Sequence, residues 1–281
     1  MATYIVTGHL GFIGKRLSNT LTESGNTVIG FEIEDALSPE WTNNLNIIFD
    51  ENPIDGVFHV GACSDTLERD VNKMMFLNFE VSKHLYNLCK THGVKMVYSS
   101  SAANYGTDGT LPANLYAWSK YTAEKYIEDF GVCLRYFNVF GPGEENKGRM
   151  ASVGFQAYKK YFISCEIEEM LLFPGNPKRD FIYIDDVVNA NVHAMEISES
   201  GTYDIGTTTP IGFEIFMEEF GIPYRYTDPD QIPEGYQFFT KANREKILPG
   251  WSPKFGIKDR IGHYKLYLQS QEYESVKNNI E

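Results

Sequence analysis

The chain predicts an α/β fold, a doubly wound parallel sheet carrying a smaller α/β lobe. Three observations predict it. Short β-branched or apolar runs alternate with amphipathic helical patterns through the first half, a glycine-rich turn joins the first run to the first helix, and the rhythm breaks after Gly141-Pro142-Gly143. At 281 residues the chain suits one large α/β domain, or such a domain with a second, smaller lobe.

Taken in order, Thr3 to Thr7 reads as the first strand, and Ile13 to Ser24 as a helix stopped by Gly25-Asn26. Thr27 to Glu32 reads as the second strand, Asn46 to Phe49 as a short third and Val57 to Val60 as a fourth. Apolar residues at Val71, Met74, Met75, Val81, Leu85 and Leu88 recur at helical spacing, so Val71 to His92 is expected as one helix ended by Gly93. Lys95 to Ser99 is a fifth strand, Tyr116 to Phe130 a helix and Val132 to Tyr136 a sixth strand. Beyond the break, Ser152 to Ser164 reads as a helix, Phe181 to Ile184 as a strand feeding a helix, and Gly201 to Ile205 as a return to the sheet. The proline-punctuated remainder reads as part of the lobe. The expected division is residues 1–141 with 178–207 for the sheet domain, and 142–177 with 208–281 for the lobe.

Composition bounds the function. Hydrophobic residues at 42% and charged residues at 22% are ordinary for a globular core. The net charge of -13, from 25 Lys and Arg against 38 Asp and Glu, argues against nucleic acid and anionic membrane as partners. It also repels a diphosphate, so such a ligand needs a local basic cluster. Cys63, Cys89, Cys133 and Cys165 show no C-x-x-C pairing and no metal spacing, and read as reduced thiols. No metal site is expected. The N-terminus enters a strand at once without a signal-like segment, and no apolar run is long enough to span a bilayer. A cytoplasmic protein is expected.

The first turn reads Gly8-His9-Leu10-Gly11-Phe12-Ile13-Gly14, directly between strand and helix. Glycine there permits a tight turn and close approach of backbone to a pyrophosphate, which the helix N-terminus then faces. This makes the fold Rossmann-type, with Gly8, Leu10, Gly11, Phe12, Ile13 and Gly14 as dinucleotide contacts. Glu32, at the end of the second strand, is placed for the adenosine ribose hydroxyls. A carboxylate there repels a 2′-phosphate, and Ile33, Glu34 and Asp35 supply no cation to hold one, so NAD is favoured, with NADP the second candidate.

Tyr116-Ala117-Trp118-Ser119-Lys120 opens a helix, and a spacing of four puts phenol and ammonium on one face. A nearby Lys⁺ stabilises phenolate and brings a tyrosine towards use as a general base. The run Ser99-Ser100-Ser101 ends the preceding strand.

With these motifs, the segment Leu134 to Pro142 resembles the extended short-chain dehydrogenase/reductases. Within them the chain is similar to the ADP-glycero-manno-heptose 6-epimerases, through Phe58-His59-Val60-Gly61-Ala62-Cys63-Ser64, Lys147-Gly148-Arg149-Met150-Ala151-Ser152-Val153, Lys178-Arg179-Asp180-Phe181-Ile182-Tyr183 and Tyr236-Gln237-Phe238-Phe239-Thr240. The resemblance implies a nucleotide-sugar epimerase that oxidises and re-reduces its substrate with a tightly bound nicotinamide cofactor. Tyr116 takes a proton from a sugar hydroxyl, Ser101 holds that oxygen, Lys120 binds the nicotinamide ribose, and Lys147 is the second acid/base group. It also implies cofactor contacts from Gly61, Ala62, Asn78 and Ser99. Substrate contacts follow from Cys63, Ser64, Ser101, Asn138, Lys147, Ser152, Arg179 and Tyr236, with Arg179 gripping the diphosphate and Lys147, Arg149, Lys178 and Arg179 supplying the local basic cluster that the acidic chain needs. Self-association is expected on the same ground.

Two departures stand out. Only fifteen positions separate Ser101 from Tyr116, fewer than is usual in that family, and the region between the second and fourth strands is trimmed. Ala102-Ala103-Asn104 replaces the Asp-Glu pair that a sugar 4,6-dehydratase needs. A UDP- or GDP-sugar 4-epimerase shares the same Tyr, Ser and Lys set and is the first alternative. A cofactor-binding sensor without turnover is the second.

Overall fold

The computed structural model describes residues 1–107, 109–197, 199–234, 236–254 and 256–278, with side chains described to residue 271. In chain order the first part comprises β1 (Thr3–Thr7), α1 (Phe12–Glu23), β2 (Thr27–Phe31), α2 (Trp41–Glu51), β3 (Gly56–His59), α3 (Val71–Met75), α4 (Val81–His92), β4 (Lys95–Ser101), α5 (Leu115–Ile127) and β5 (Val132–Tyr136). There follow β6 (Asn138–Phe140), α6 (Val153–Tyr158), β7 (Met170–Leu172), β8 (Lys178–Arg179), β9 (Phe181–Tyr183), α7 (Ile184–Glu196), β10 (Gly201–Ile205), β11 (Ile211–Gly212), α8 (Glu214–Phe220), β12 (Tyr224–Tyr226) and α9 (Ile257–Asn278).

Six of these strands form one parallel sheet in the order β10-β5-β4-β3-β1-β2. The order reverses between β1 and β3. In sheets of this kind the crevice beyond the carboxyl ends of the strands at such a reversal is where ligands bind. Thr7 and His59 are register partners at that edge, and both are fully buried.

The sheet therefore matches the expectation in kind, with one strand replaced. Asn46 to Phe49 is not a strand but lies inside α2. Its buried residues, Leu45 and Phe49, are four apart, so the helical period wins over a short apolar run. Phe181 to Ile184 supplies β9, which pairs with β6 outside the main sheet. The helix expected from Val71 to His92 is interrupted by a π turn at Phe76–Glu80 that turns Asn78 into the interior. The helix expected from Ser152 likewise passes into a π turn at Lys159–Ile163.

The turn-rich C-terminal region carries a 22-residue helix, α9, that the sequence reading omits. Ile261, Tyr264 and Leu268 are its buried contacts. One apolar cluster runs continuously from Val6 and Val97 in the sheet through Phe140 to Tyr158, Phe216, Tyr264 and Leu268. The other face of the sheet is covered by α2, α4 and α5 around Leu45, Phe49, Leu85, Tyr98 and Ile127. All four cysteines are free thiols, and among the described residues no helix is long and apolar enough to cross a membrane.

A buried ion pair fastens α5 to this sheet. Glu124 is fully buried and receives the Arg135 guanidinium in two bonds, 2.8 Å from Nε and 2.6 Å from Nη2. Replacing Arg135 by Met keeps much of the volume but leaves the Glu124 carboxylate without its counter-charge. Arg135→Met is expected to cost about 3–5 kcal/mol of stability, read from urea unfolding; a loss below ~1 kcal/mol contradicts this account.

Candidate active site

The glycine turn has the shape a pyrophosphate needs. Gly8 takes a left-handed φ of 64°, and a Cβ there would lie 2.6 Å from Gly61 Cα. A Cβ on Gly14 would lie 2.0 Å from the Gly8 carbonyl oxygen, so helix and turn pack at a distance only glycine allows. Gly11 caps α1 without a side-chain hydrogen bond, and no acidic residue occupies the first turn. The amides of Phe12 and Ile13 at this end are thus left for an anion, and Leu10 beside them is exposed. These features fit a nicotinamide dinucleotide.

Glu32 stands at the end of β2 as expected, and its carboxylate is already part of the turn. Its Oε1 accepts from the Leu10 amide at 2.8 Å and lies 2.7 Å from His9 Nδ1. It also accepts from the Asp35 amide, closing a capping box at the start of a short 3₁₀ turn. A carboxylate has room for further donors, so ribose hydroxyls and these partners are compatible. The His9 ring covers Gly30, where a Cβ would come within 2.4 Å of it.

The helix that carries Tyr116 and Lys120 is positioned from its first turn. Asn114 caps α5 by accepting from the Ala117 amide at 2.9 Å, which places Tyr116 and Lys120 on the face towards β4. The Ser101 hydroxyl hydrogen-bonds the Tyr116 phenol and works against burial, which raises the phenol's pKa. Lys120 is buried with its ammonium 4.3 Å from the centre of the Tyr98 ring. Burial lowers its pKa to about 7 against the pull of Cys133 and Glu124. In the protein alone, then, Lys120 carries only part of a charge near neutrality, and Tyr116 stays a phenol. The expectation that Lys120 lowers the Tyr116 pKa does not describe this state, because the same burial acts on both groups.

Asn78, from the π turn, binds the segment after β3. Its Oδ1 accepts from the Cys63 amide at 2.7 Å, and its Nδ2 donates to the Cys63 carbonyl at 3.0 Å and to Ser119 Oγ at 2.9 Å. Cys63 is half-buried beside Tyr116, with its thiol pKa raised mainly by burial. Gly61 is buried, Ala62 half-buried and Ser64 exposed. Ser99 is buried and bonded to the Tyr136 hydroxyl at 2.8 Å; since that hydroxyl donates to Asn191, Ser99 is the donor.

Lys147 sits in the turn after Gly143, half-buried, its ammonium 5.0 Å from the ring centre of Phe12 in the glycine turn. Burial lowers its pKa, and Glu144 opposes the shift. Glu144, which the sequence reading left out, is fully buried and organises this turn. It accepts from the Ser152 amide at 2.6 Å and from Ser152 Oγ at 2.8 Å; burial first, and then its nearby charge, hold the Tyr264 phenol of α9 above its usual pKa. Ser152 Oγ also caps α6 through the Phe155 amide, so its hydroxyl is occupied within the protein.

Arg179 is 8% exposed, and among the described residues its partners are carbonyls and rings rather than a carboxylate. It donates to Lys178 O and Gln237 O, and its guanidinium carbon lies 5.4 Å from the Tyr236 ring and 5.5 Å from Phe213. Burial lowers its pKa, and Tyr236 resists. Phe173 and Phe238 pack edge-on to Tyr236, with ring centres 5.0 and 5.2 Å away. Asn138 is exposed at the start of β6, its Oδ1 accepting from Thr240 at 3.3 Å. Arg149, expected in the same basic cluster, is instead paired with Asp65 at 2.5 Å.

The depressed Lys120 pKa fixes a sign. The unfolded lysine, with a pKa of about 10.4, binds a proton over a range where the folded one does not. Stability therefore rises with pH from about 7 to 10, by up to ~1.4 kcal/mol per unit from this group. Lys120→Met removes the contribution, so in urea unfolding the variant exceeds the parent most near pH ~7, and the gap narrows towards pH ~9. A constant or widening gap refutes the buried, depressed ammonium.

Residues 4–206 match the NAD dependent epimerase/dehydratase family. ADP-L-glycero-D-manno-heptose-6-epimerase of Brachyspira hyodysenteriae is 32% identical, over 86% of this chain and 90% of that protein. Among solved structures, the Helicobacter pylori ADP-L-glycero-D-manno-heptose-6-epimerase superposes with a TM-score of 0.82 at 26% identity, covering 95% of this chain and 96% of that one. The UDP-glucose 4-epimerase of Thermotoga maritima gives 0.81, also at 26% identity, covering 96% and 99%. The glycine turn, the Ser101, Tyr116 and Lys120 site and these likenesses agree: the chain belongs to the NAD dependent epimerase/dehydratase family.

Proposed function

We propose that the protein inverts a carbinol centre of a nucleotide-diphosphate sugar, with ADP-glycero-manno-heptose epimerised at carbon 6 as the substrate that best fits. The observation that carries the choice is Lys147, a second basic side chain packed on Phe12 of the glycine turn, apart from the Tyr116 and Ser101 pair. Oxidation takes a hydride from the carbinol carbon and a proton from its oxygen; inversion follows when the carbonyl presents its other face before both are returned, and an exocyclic carbonyl that turns carries its oxygen to a second acid/base group. The bound nicotinamide ring supplies the hydride acceptor and donor. Tyr116 exchanges a proton with the sugar hydroxyl while Ser101 holds the oxygen, and Lys120 orients the cofactor ribose. Lys147 serves the other face after the exocyclic carbonyl has turned.

Arg179 anchors the diphosphate, with Tyr236 flanking it. Residues 1–141 and 178–207 hold the cofactor, and 142–177 with 208–281 close over the sugar nucleotide. NAD is preferred to NADP because Glu32, with Glu34 and Asp35 behind it, presents only negative charge where a 2′-phosphate would lie. This reading places the enzyme with its substrate in the cytoplasm.

Incubation with ADP-D-glycero-manno-heptose, followed by NMR of the product, tests the reading. Inversion at carbon 6 is expected, and Lys147→Ala is expected to slow it by about 100-fold or more. A folded, cofactor-loaded enzyme that leaves this sugar unchanged but converts a UDP- or GDP-hexose at carbon 4, with Lys147→Ala fully active, establishes the 4-epimerase alternative instead. Self-association through α5, where Trp118 is 44% and Tyr126 39% exposed, is part of the same reading. Sedimentation is expected to show an oligomer that Trp118→Glu weakens, and a parent protein that stays monomeric refutes it.

A further inference from the structure

His59 has no part in the chemistry above, yet both of its ring nitrogens are hydrogen-bonded inside the sheet. It is fully buried at the carboxyl end of β3, where its neighbours are Thr7 from β1, Ser82 from α4 and the ring of Tyr98, 5.5 Å away between centres. Lys120 is the charged group that bears on it, and burial together with that ammonium drives its pKa down to about 3. The imidazole is therefore neutral, and its tautomer follows from its partners. Ser82 Oγ donates to the Asn78 carbonyl at 2.7 Å, so towards His59 it has only a lone pair to offer. Nε2 must carry the proton, donating across 2.7 Å. Nδ1 is then an acceptor and takes the Thr7 hydroxyl proton, also across 2.7 Å. Thr7 Oγ1 in turn accepts from the Gly61 amide at 2.9 Å.

Every proton in this chain runs one way, from Gly61 through Thr7, His59 and Ser82 to the backbone of Asn78. The Asn78 side chain continues it through Ser119 Oγ, which donates to the Tyr116 carbonyl at 2.7 Å. At its other end Gly61 lies against Gly8 of the dinucleotide turn. All the linking side chains are buried, so no solvent substitutes for a missing member.

We propose that His59, as the neutral Nε2–H tautomer, is a positioning residue that joins the dinucleotide turn to the first turn of the helix bearing Tyr116 and keeps Tyr116 in register with the cofactor held by that turn. The proposal rests on the nicotinamide-dependent reading of the site and is independent of which sugar is the substrate.

Two measurements test it without any sugar. In ¹⁵N-histidine-labelled protein, NMR is expected to show the His59 resonances, identified by their loss in His59→Gln, with Nε2 protonated, Nδ1 bare and no titration between about pH 5 and pH 8. The opposite tautomer, a mixture of both, or titration in that range overturns the proposal. In NAD⁺-loaded protein, the ultraviolet phenolate titration that disappears in Tyr116→Phe reports how closely Tyr116 is held to the positively charged nicotinamide. His59→Phe fills the space with no donor or acceptor and is expected to move that titration to higher pH. His59→Gln, which restores a donor towards Ser82, is expected to bring it part of the way back. A folded, loaded His59→Phe that titrates like the parent refutes the positioning role. Should His59→Phe not fold, the same comparison between His59→Gln and the parent decides: an unmoved titration then counts against the role.

Discussion

The candidate active site depends first on the ion pair between Glu124 and Arg135. Tyr116, Lys120 and Glu124 recur every four residues on α5, so fixing the third fixes the azimuth of the other two. Glu124 is gripped by Arg135 from β5 and also accepts from Ser100 at 2.6 Å and Asn104 at 3.1 Å. Ser100 precedes Ser101, so one carboxylate sets the helix that carries the phenol and the strand end that carries its hydroxyl partner. Buried pairs of this kind add little net stability once desolvation is counted. What this one provides is uniqueness of position: a hydrophobic contact would tolerate a small rotation of α5, and a bidentate guanidinium does not.

A second constraint is less comfortable. Lys120 has an aromatic face as its close neighbour, and burial alone explains the loss of much of its charge. A structure selected for stability alone would place an apolar side chain there. The retained lysine is a local conflict of the kind that marks functional sites, since a group so buried regains full charge only when an anionic or hydroxylated partner reaches it. Lys147 repeats the pattern with a different support. Its turn hangs on Glu144, which accepts from Ser152 at the head of α6 and lies close to Tyr264 on α9. The C-terminal helix thus bears on the placement of the second basic group.

What was legible in the sequence was local. The glycine turn, the strand periods and the Tyr116 and Lys120 spacing are carried by neighbouring residues, and the sheet follows from them. Two helices are hidden in the sequence by their context. Trp41, Leu45 and Phe49 fall on one face of α2, and Ile261, Tyr264 and Leu268 on one face of α9, but short length in the first and flanking prolines in the second masked the pattern. The buried polar partners were out of reach for a different reason. Glu124, Arg135, Glu144, Ser82 and Gln237 are unremarkable one at a time, and their roles arise only from contacts between distant segments. His59 left one trace, an imidazole within a wholly buried strand of apolar neighbours.

The acidity of the chain sharpens what Arg179 must do. A net charge of -13 disfavours the approach of a diphosphate from a distance, so affinity has to come from contact at short range. Arg149, expected in the same basic cluster, is paired with Asp65, whereas the Arg179 guanidinium is oriented by aromatic rings and carbonyls and keeps no carboxylate among the described residues. One of those carbonyls belongs to Gln237, whose side-chain amide donates to Gly106 O at 2.7 Å. Gly106 lies in the segment between Ser101 and Tyr116 that is shorter than in the resembling family. Arg179 and the loop behind Ser101 are therefore joined through one residue. A shortened loop is thus braced from the opposite side, and under the proposed function this one residue couples the hold on the phosphates to the placement of the sugar against Ser101.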